Sequence, residues 1–90
     1  MKRVRLLIQG RVQGVGFRAF ARARAHDLGI RGAARNRPDG AVEVEAEGSA
    51  EALASFVEAL RVGPRGAAVR AVEEAWSDGP PRHDSFEITR

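Results

Sequence analysis

Apolar and polar positions along the chain alternate at two different periods, and the switches between them mark the elements. Val4, Leu6 and Ile8 stand between Arg3, Arg5, Leu7 and Gln9, a period of two that predicts a strand with one buried face. A glycine-bearing segment, Gly10 to Gly16, interrupts it. Phe17, Phe20, Ala21, Arg24 and Leu28 then fall at helical spacing, with Gly29 placed to end the helix. Ile30 to Arg37 predicts a second strand with Ile30, Gly32, Ala34 and Asn36 on one face. Pro38-Asp39-Gly40 is a turn signal with a mechanism, since Pro presets φ, Asp bonds nearby backbone and Gly accepts positive φ. Val42, Val44 and Ala46 alternate with Glu43, Glu45 and Glu47. Residues 30–47 therefore read as a hairpin whose second strand carries a solvated carboxylate face.

Ser49 is placed to cap a second helix, in which Leu53, Phe56, Val57 and Leu60 recur at i, i+3, i+4 and i+7. Gly63-Pro64-Arg65-Gly66 stops it. Val69 to Ser77 predicts another strand, Asp78 to Pro81 a loop, and Phe86 to Thr89 a short final strand. The order is β-α-β-β-α-β with an extra strand near the C-terminus. Right-handed crossovers bring both helices to one face of an antiparallel sheet. This predicts a ferredoxin-like α+β sandwich in which strands one and three are central neighbours. Arg3 and Arg5 are then set to pair across the open face with Glu45 and Glu47.

Length and composition narrow the picture further. Ninety residues, 43% apolar and 30% charged, suit one globular domain over 1–90 and neither two domains nor a disordered chain. No apolar run approaches the roughly 18 residues of a membrane span. Leu6-Leu7-Ile8 is too short for the core of a signal peptide. With no cysteine there is neither a disulfide framework nor a thiolate metal site, in keeping with a cytoplasmic protein. The net charge of +3 rests almost wholly on arginine and suggests an anionic partner without choosing among nucleic acid, phosphate or an acidic surface.

The choice turns on residues 10–18. This segment joins a strand to a helix, and glycines at 10, 14 and 16 let its backbone turn tightly and present N–H groups. Such N–H groups beside a helix N-terminus form an anion site. Arg18 lies in the first helical turn, where the helix dipole disfavours a cation unless an anion is bound beside it. The segment lacks the Lys-Ser/Thr pair of a nucleotide-binding P-loop and the glycine spacing of a dinucleotide fingerprint. On the loop alone, an anion cradle and a plain glycine-rich connection stand level.

Gly10-Arg11-Val12-Gln13-Gly14-Val15-Gly16-Phe17-Arg18 resembles the first signature of the acylphosphatases, G-x-V-Q-G-V-x-[FY]-R, at every specified position. Gly32-Ala33-Ala34-Arg35-Asn36, with Gly40, Val42 and Gly48 after it, is similar to the second. Gly63-Pro64-Arg65 and the closing Phe86-Glu87-Ile88 also fit, so the resemblance spans essentially the whole chain. It implies a hydrolase that cleaves the carboxyl-phosphate bond of acyl phosphates. The phosphate would sit in the loop of Gln13, Gly14, Val15, Gly16 and Phe17, clasped by Arg18, while Asn36 orients the attacking water. The resemblance implies no metal and no cofactor. Its partners would be a small-molecule acyl phosphate and inorganic phosphate, as product and inhibitor, acting on a monomer. One departure is Ala33-Ala34, where the family carries a large residue and then Val. The lost bulk bears on the packing beneath Asn36 and on the contact with the acyl group.

Other polar residues have blander readings. His26 belongs to a helix end, His83 to a polar loop without a partner, Asp39 to its turn, and Arg22 and Arg24 to a solvated helix face. Trp76 reads as sheet packing. A nucleic-acid-binding module is the rival for a basic chain of this fold. It would need aromatic residues on the open sheet face, where this chain places Glu43, Glu45 and Glu47. A second rival is a phosphate-sensing domain of the kind found at the front of hydrogenase-maturation carbamoyltransferases. A small chain that ends after its last strand, keeping both Arg18 and Asn36, favours turnover.

Overall fold

The computed structural model describes residues 1–89, in the order β1 (Lys2–Arg11), α1 (Phe17–Leu28), β2 (Arg31–Asn36), β3 (Val42–Gly48), α2 (Ala50–Val62), β4 (Ala68–Asp78) and β5 (Phe86–Thr89). The strands form one sheet in the order β4-β1-β3-β2-β5. The first four pair antiparallel with their neighbours. The final strand lies parallel to β2 and makes the sheet mixed.

Both helices cover one face, α1 over β2 and β5 and α2 over β4, β1 and β3. The alternation read from the sequence supplies the floor of the core: Val4, Leu6, Ile8, Val42, Val44 and Ala46 are all buried. On α2 the i, i+3, i+4, i+7 set Leu53, Phe56, Val57 and Leu60 faces that floor. Each such side chain contributes roughly 1.5–3 kcal/mol on burial. Ser49 caps α2 by accepting from the Ala52 N–H at 3.1 Å. On α1 the buried residues are Phe17, Ala21 and Ala25. Small side chains let that helix approach β2 closely, and Ala34 beneath it is fully buried. The packing under Asn36 is thus closed despite the lost bulk. Ala33 points to the opposite, open face, where it lines a recess with Arg5, Arg35 and His83.

Two features of β1 and β4 set the ends of the sheet. The first lies at the top: β1 runs on to Arg11, past the glycine expected to interrupt it, through a bulge between Gln9 and Gly10. Gly10 sits so close to β4 that a Cβ there would lie 2.2 Å from the Ala68 carbonyl oxygen, and its φ is 128°. The bulge re-aims the chain, turning Val12 into the core and carrying residues 13–16 over the end of the sheet.

The second feature lies at the bottom. β4 ends beside Lys2 and β5 begins beside Gly32. Residues 79–85 must therefore cross from one edge of the sheet to the other, over the ends of β1 and β3. Glu47 fastens this crossing. Its carboxylate accepts from the N–H groups of Arg82 (2.9 Å) and His83 (2.8 Å) and from the Arg3 guanidinium (3.3 Å). Arg3 also donates to the Pro80 carbonyl at 2.8 Å.

Several expectations for this face are corrected. Glu47 is not solvated but 1% exposed, and Arg3 is 5% exposed. Arg5 reaches Glu43 at 3.7 Å instead of Glu45, because Glu45 is engaged with His83 Nε2 at 2.8 Å. His83 therefore has a partner. Trp76 is 45% exposed, with its indole N–H on Glu74 at 2.9 Å. It stands on an edge strand near its end.

Candidate functional site

The carboxyl ends of β1, β2 and β5 meet the N-terminus of α1 at the end of the sheet away from the crossing segment. That N-terminus is unlike the one on α2. Gly16 is its cap residue in a left-handed conformation, φ 77° and ψ 25°, which glycine adopts without the strain a Cβ would bring. No side chain caps it and no acidic residue lies in its first turn. Among the described residues, no N–H from Gln13 to Arg18 donates to another loop or turn carbonyl. Donors of this kind, aligned with the helix dipole, attract an anion.

Arg18 is half-buried in the first turn. Its guanidinium makes one long contact within the described residues, 3.5 Å to the carbonyl oxygen of Thr89 on β5. Among the described residues no carboxylate side chain pairs with it. Asn36 is the last residue of β2, opposite Val42 of β3, and is half-buried. The alternation of β2 puts it on the helix-covered face with Ala34.

Arg18 and Asn36, eighteen residues apart in sequence, line one cavity of about 180 Å³ with Val12, Gly14, Gly16, Phe17, Ala19 and Ile88. Of the loop residues singled out from the sequence, Gly14, Gly16 and Phe17 thus line it as well. Val15 does not, and packs against the core. Gln13 also stands outside it, because its side-chain amide donates to the carbonyls of Arg37 and Ala41. Sequence reasoning missed Val12, Ala19 and Ile88 as walls. The signal for Ile88 was its alternation with Phe86, which puts both on the helix-covered face once β5 joins β2.

Larger recesses lie elsewhere. One of about 310 Å³ is lined by Arg5, Leu6, Leu7, Glu43, Glu73, Glu74 and Ala75, and its three carboxylates repel a phosphate. Glu43 is held below its ordinary pKa by the Arg35 hydrogen bond first and then by the charges of Arg35, Arg5 and Arg37, burial opposing. Glu74 is held down likewise by bonds from Trp76 and Arg61. Both remain anions at neutral pH. The 180 Å³ cavity combines a cation with free backbone donors and a neutral amide. It can hold a small oxyanion and orient a water beside it.

Comparisons with known proteins agree in kind. The family model for acylphosphatase matches residues 4–88. The acylphosphatase of Salinibacter ruber is 49% identical over 89 residues, 99% of this chain and 94% of its own length. That of Thermus thermophilus is 55% identical over 78 residues, 87% of this chain and 89% of its own. The crystal structure of acylphosphatase from Bacillus subtilis superposes with a TM-score of 0.97 at 40% identity, covering 100% of both chains.

Proposed function

The chain belongs to the acylphosphatase family and hydrolyses acyl phosphates, and from that premise we propose how its own residues divide the work. The phosphoryl group of R–CO–O–PO₃²⁻ rests on the loop N–H groups of residues 13–17 and on the Arg18 guanidinium. Asn36 holds the attacking water by accepting a hydrogen bond from it on the amide oxygen, and stays neutral beside a dianion. The water oxygen forms a bond to phosphorus as the bridging P–O bond breaks. The bond electrons leave with the carboxylate, and the water proton passes to solvent or to the phosphate product. A carboxylate is a good leaving group, so positioning and charge stabilisation suffice without a strong base.

One observation carries this reading: Arg18 and Asn36 line the same small cavity as the uncapped helix N-terminus. A monomer, and a single domain over 1–90, as the working unit belong to the same reading. So does a cytoplasmic setting, in keeping with the cysteine-free sequence. Among the described residues no helix is long and apolar enough to cross a membrane.

Phosphate inhibition tests the division. Inorganic phosphate is expected to compete with substrate, and Asn36→Ala is expected to keep the inhibition constant within about threefold while kcat falls. Non-competitive inhibition, or a phosphate affinity that collapses with Asn36, would place the anion elsewhere.

A further inference from the structure

We propose that Gln13 is a positioning residue that locks the phosphate loop to the hairpin carrying Asn36; this rests on the roles given above to the loop and to Asn36. The half-buried Gln13 amide donates to two carbonyls at once, that of Arg37 at 2.8 Å and that of Ala41 at 2.9 Å. Two carbonyl acceptors fix the orientation of the amide, because only its NH₂ end can serve both. Arg37 directly follows Asn36, and Ala41 directly precedes Val42, the residue paired with Asn36 across the hairpin. The clamp therefore grips both strands of the hairpin one residue beyond the Asn36–Val42 pair.

The hairpin end it grips is already stiff. The Arg37 N–H donates to the Ala41 carbonyl at 2.8 Å, and the Gly40 N–H to the Arg37 carbonyl at 3.1 Å. Asp39 Oδ1 accepts from the Ala41 N–H at 3.1 Å, and the Arg37 guanidinium contacts the Asp39 carboxylate at 3.2 Å. Each carbonyl thus takes one donor from the turn and one from Gln13, using both lone pairs. A rigid turn transmits displacement: if the loop moves, Asn36 moves with it. Among the described residues, no other side-chain hydrogen bond joins the loop to the hairpin. The relative placement of phosphorus and water is therefore set by one side-chain amide. Errors of an ångström in that placement cost large factors in rate.

A double-mutant cycle on kcat tests this, read below the unfolding midpoint of each variant. Gln13→Ala is expected to lower kcat about tenfold while the inhibition constant of inorganic phosphate changes by less than about twofold. In an Asn36→Ala background the same change is expected to cost less than about twofold, because there is no oriented water left to misplace. Gln13→Glu keeps the length but sets an acceptor against two carbonyls, and is expected to lose as much as Gln13→Ala. A tenfold loss that persists in the Asn36→Ala background overturns the proposal, as does full activity in Gln13→Glu. Phosphate binding that weakens in step with kcat overturns it too, since Gln13 would then serve the anion directly. Failure of the underlying reading shows separately, as an Asn36→Ala single variant with undiminished kcat.

Discussion

Arg18→Ala is expected to lower kcat/KM for an acyl phosphate on the order of 10²-fold or more, about 2.7 kcal/mol of lost transition-state stabilisation. In the proposed role the guanidinium supplies charge-assisted donors to phosphoryl oxygens, and among the described residues Arg18 is the one charged residue that lines the cavity. Its one hydrogen-bond contact among the described residues, 3.5 Å to Thr89, is at the limit of a useful bond. Turning toward a phosphate therefore sacrifices little. Stability is expected to move the other way. A cation in the first helical turn opposes the dipole by roughly 0.3–1 kcal/mol, so the alanine variant should unfold no earlier than the parent. Arg18→Lys keeps the charge but not the two-pronged geometry, and should recover only part of the rate. Steady-state kinetics with thermal unfolding of the same samples checks all three. Full activity in Arg18→Ala would remove Arg18 from the site.

Glu47→Gln is expected to destabilise the fold by about 3–5 kcal/mol, the cost of leaving a buried charge without its partner. At roughly 4–8 °C per kcal/mol for a domain of this size, Tm should fall by at least about 12 °C. The substitution strips the charge opposite Arg3, which is 5% exposed, and turns an NH₂ group toward N–H donors. The carboxyl also gives the stability a pH dependence. Burial works to raise its pKa, but the N–H groups of His83 and Arg82 and the Arg3 guanidinium outweigh burial and hold it below 4.5. A group with a depressed folded-state pKa contributes its full stability above the unfolded value. That contribution is lost as pH falls through the lower, folded value. Tm should thus drop between neutrality and strong acid, and the drop should be shallower in Glu47→Gln. An unchanged Tm would mean that residues 79–85 are held by something other than this clamp.

The parts of the molecule legible in its sequence are those fixed by local periodicity. Helix α1 is legible over its full length because its apolar stripe and its Gly29 end lie within thirteen residues. The buried face of β3 follows from Val42, Val44 and Ala46 alone. The same alternation misassigns Glu47, because alternation names a face without saying what folds over it. The crossing segment that buries Glu47 arrives more than thirty residues later. Pairings between distant segments are hidden for a similar reason: the register of β5 on β2 and the bulge at Gly10 depend on partners absent from either window. At the site, Arg18 and Asn36 can be named because they stand in motifs of fixed residue type. That Gln13 turns its amide to the hairpin cannot be read, since an amide serves a phosphate, a backbone carbonyl or solvent equally well in sequence.

In the proposed mechanism a phosphate cradle and an oriented water on this one chain hydrolyse acyl phosphates without further help. The most direct measurement is benzoyl phosphate hydrolysis by the purified protein, with and without EDTA, beside Asn36→Ala. Rapid turnover that is indifferent to the chelator and collapses in the variant is the predicted result. Equal turnover in Asn36→Ala, or activity lost to EDTA, would contradict it.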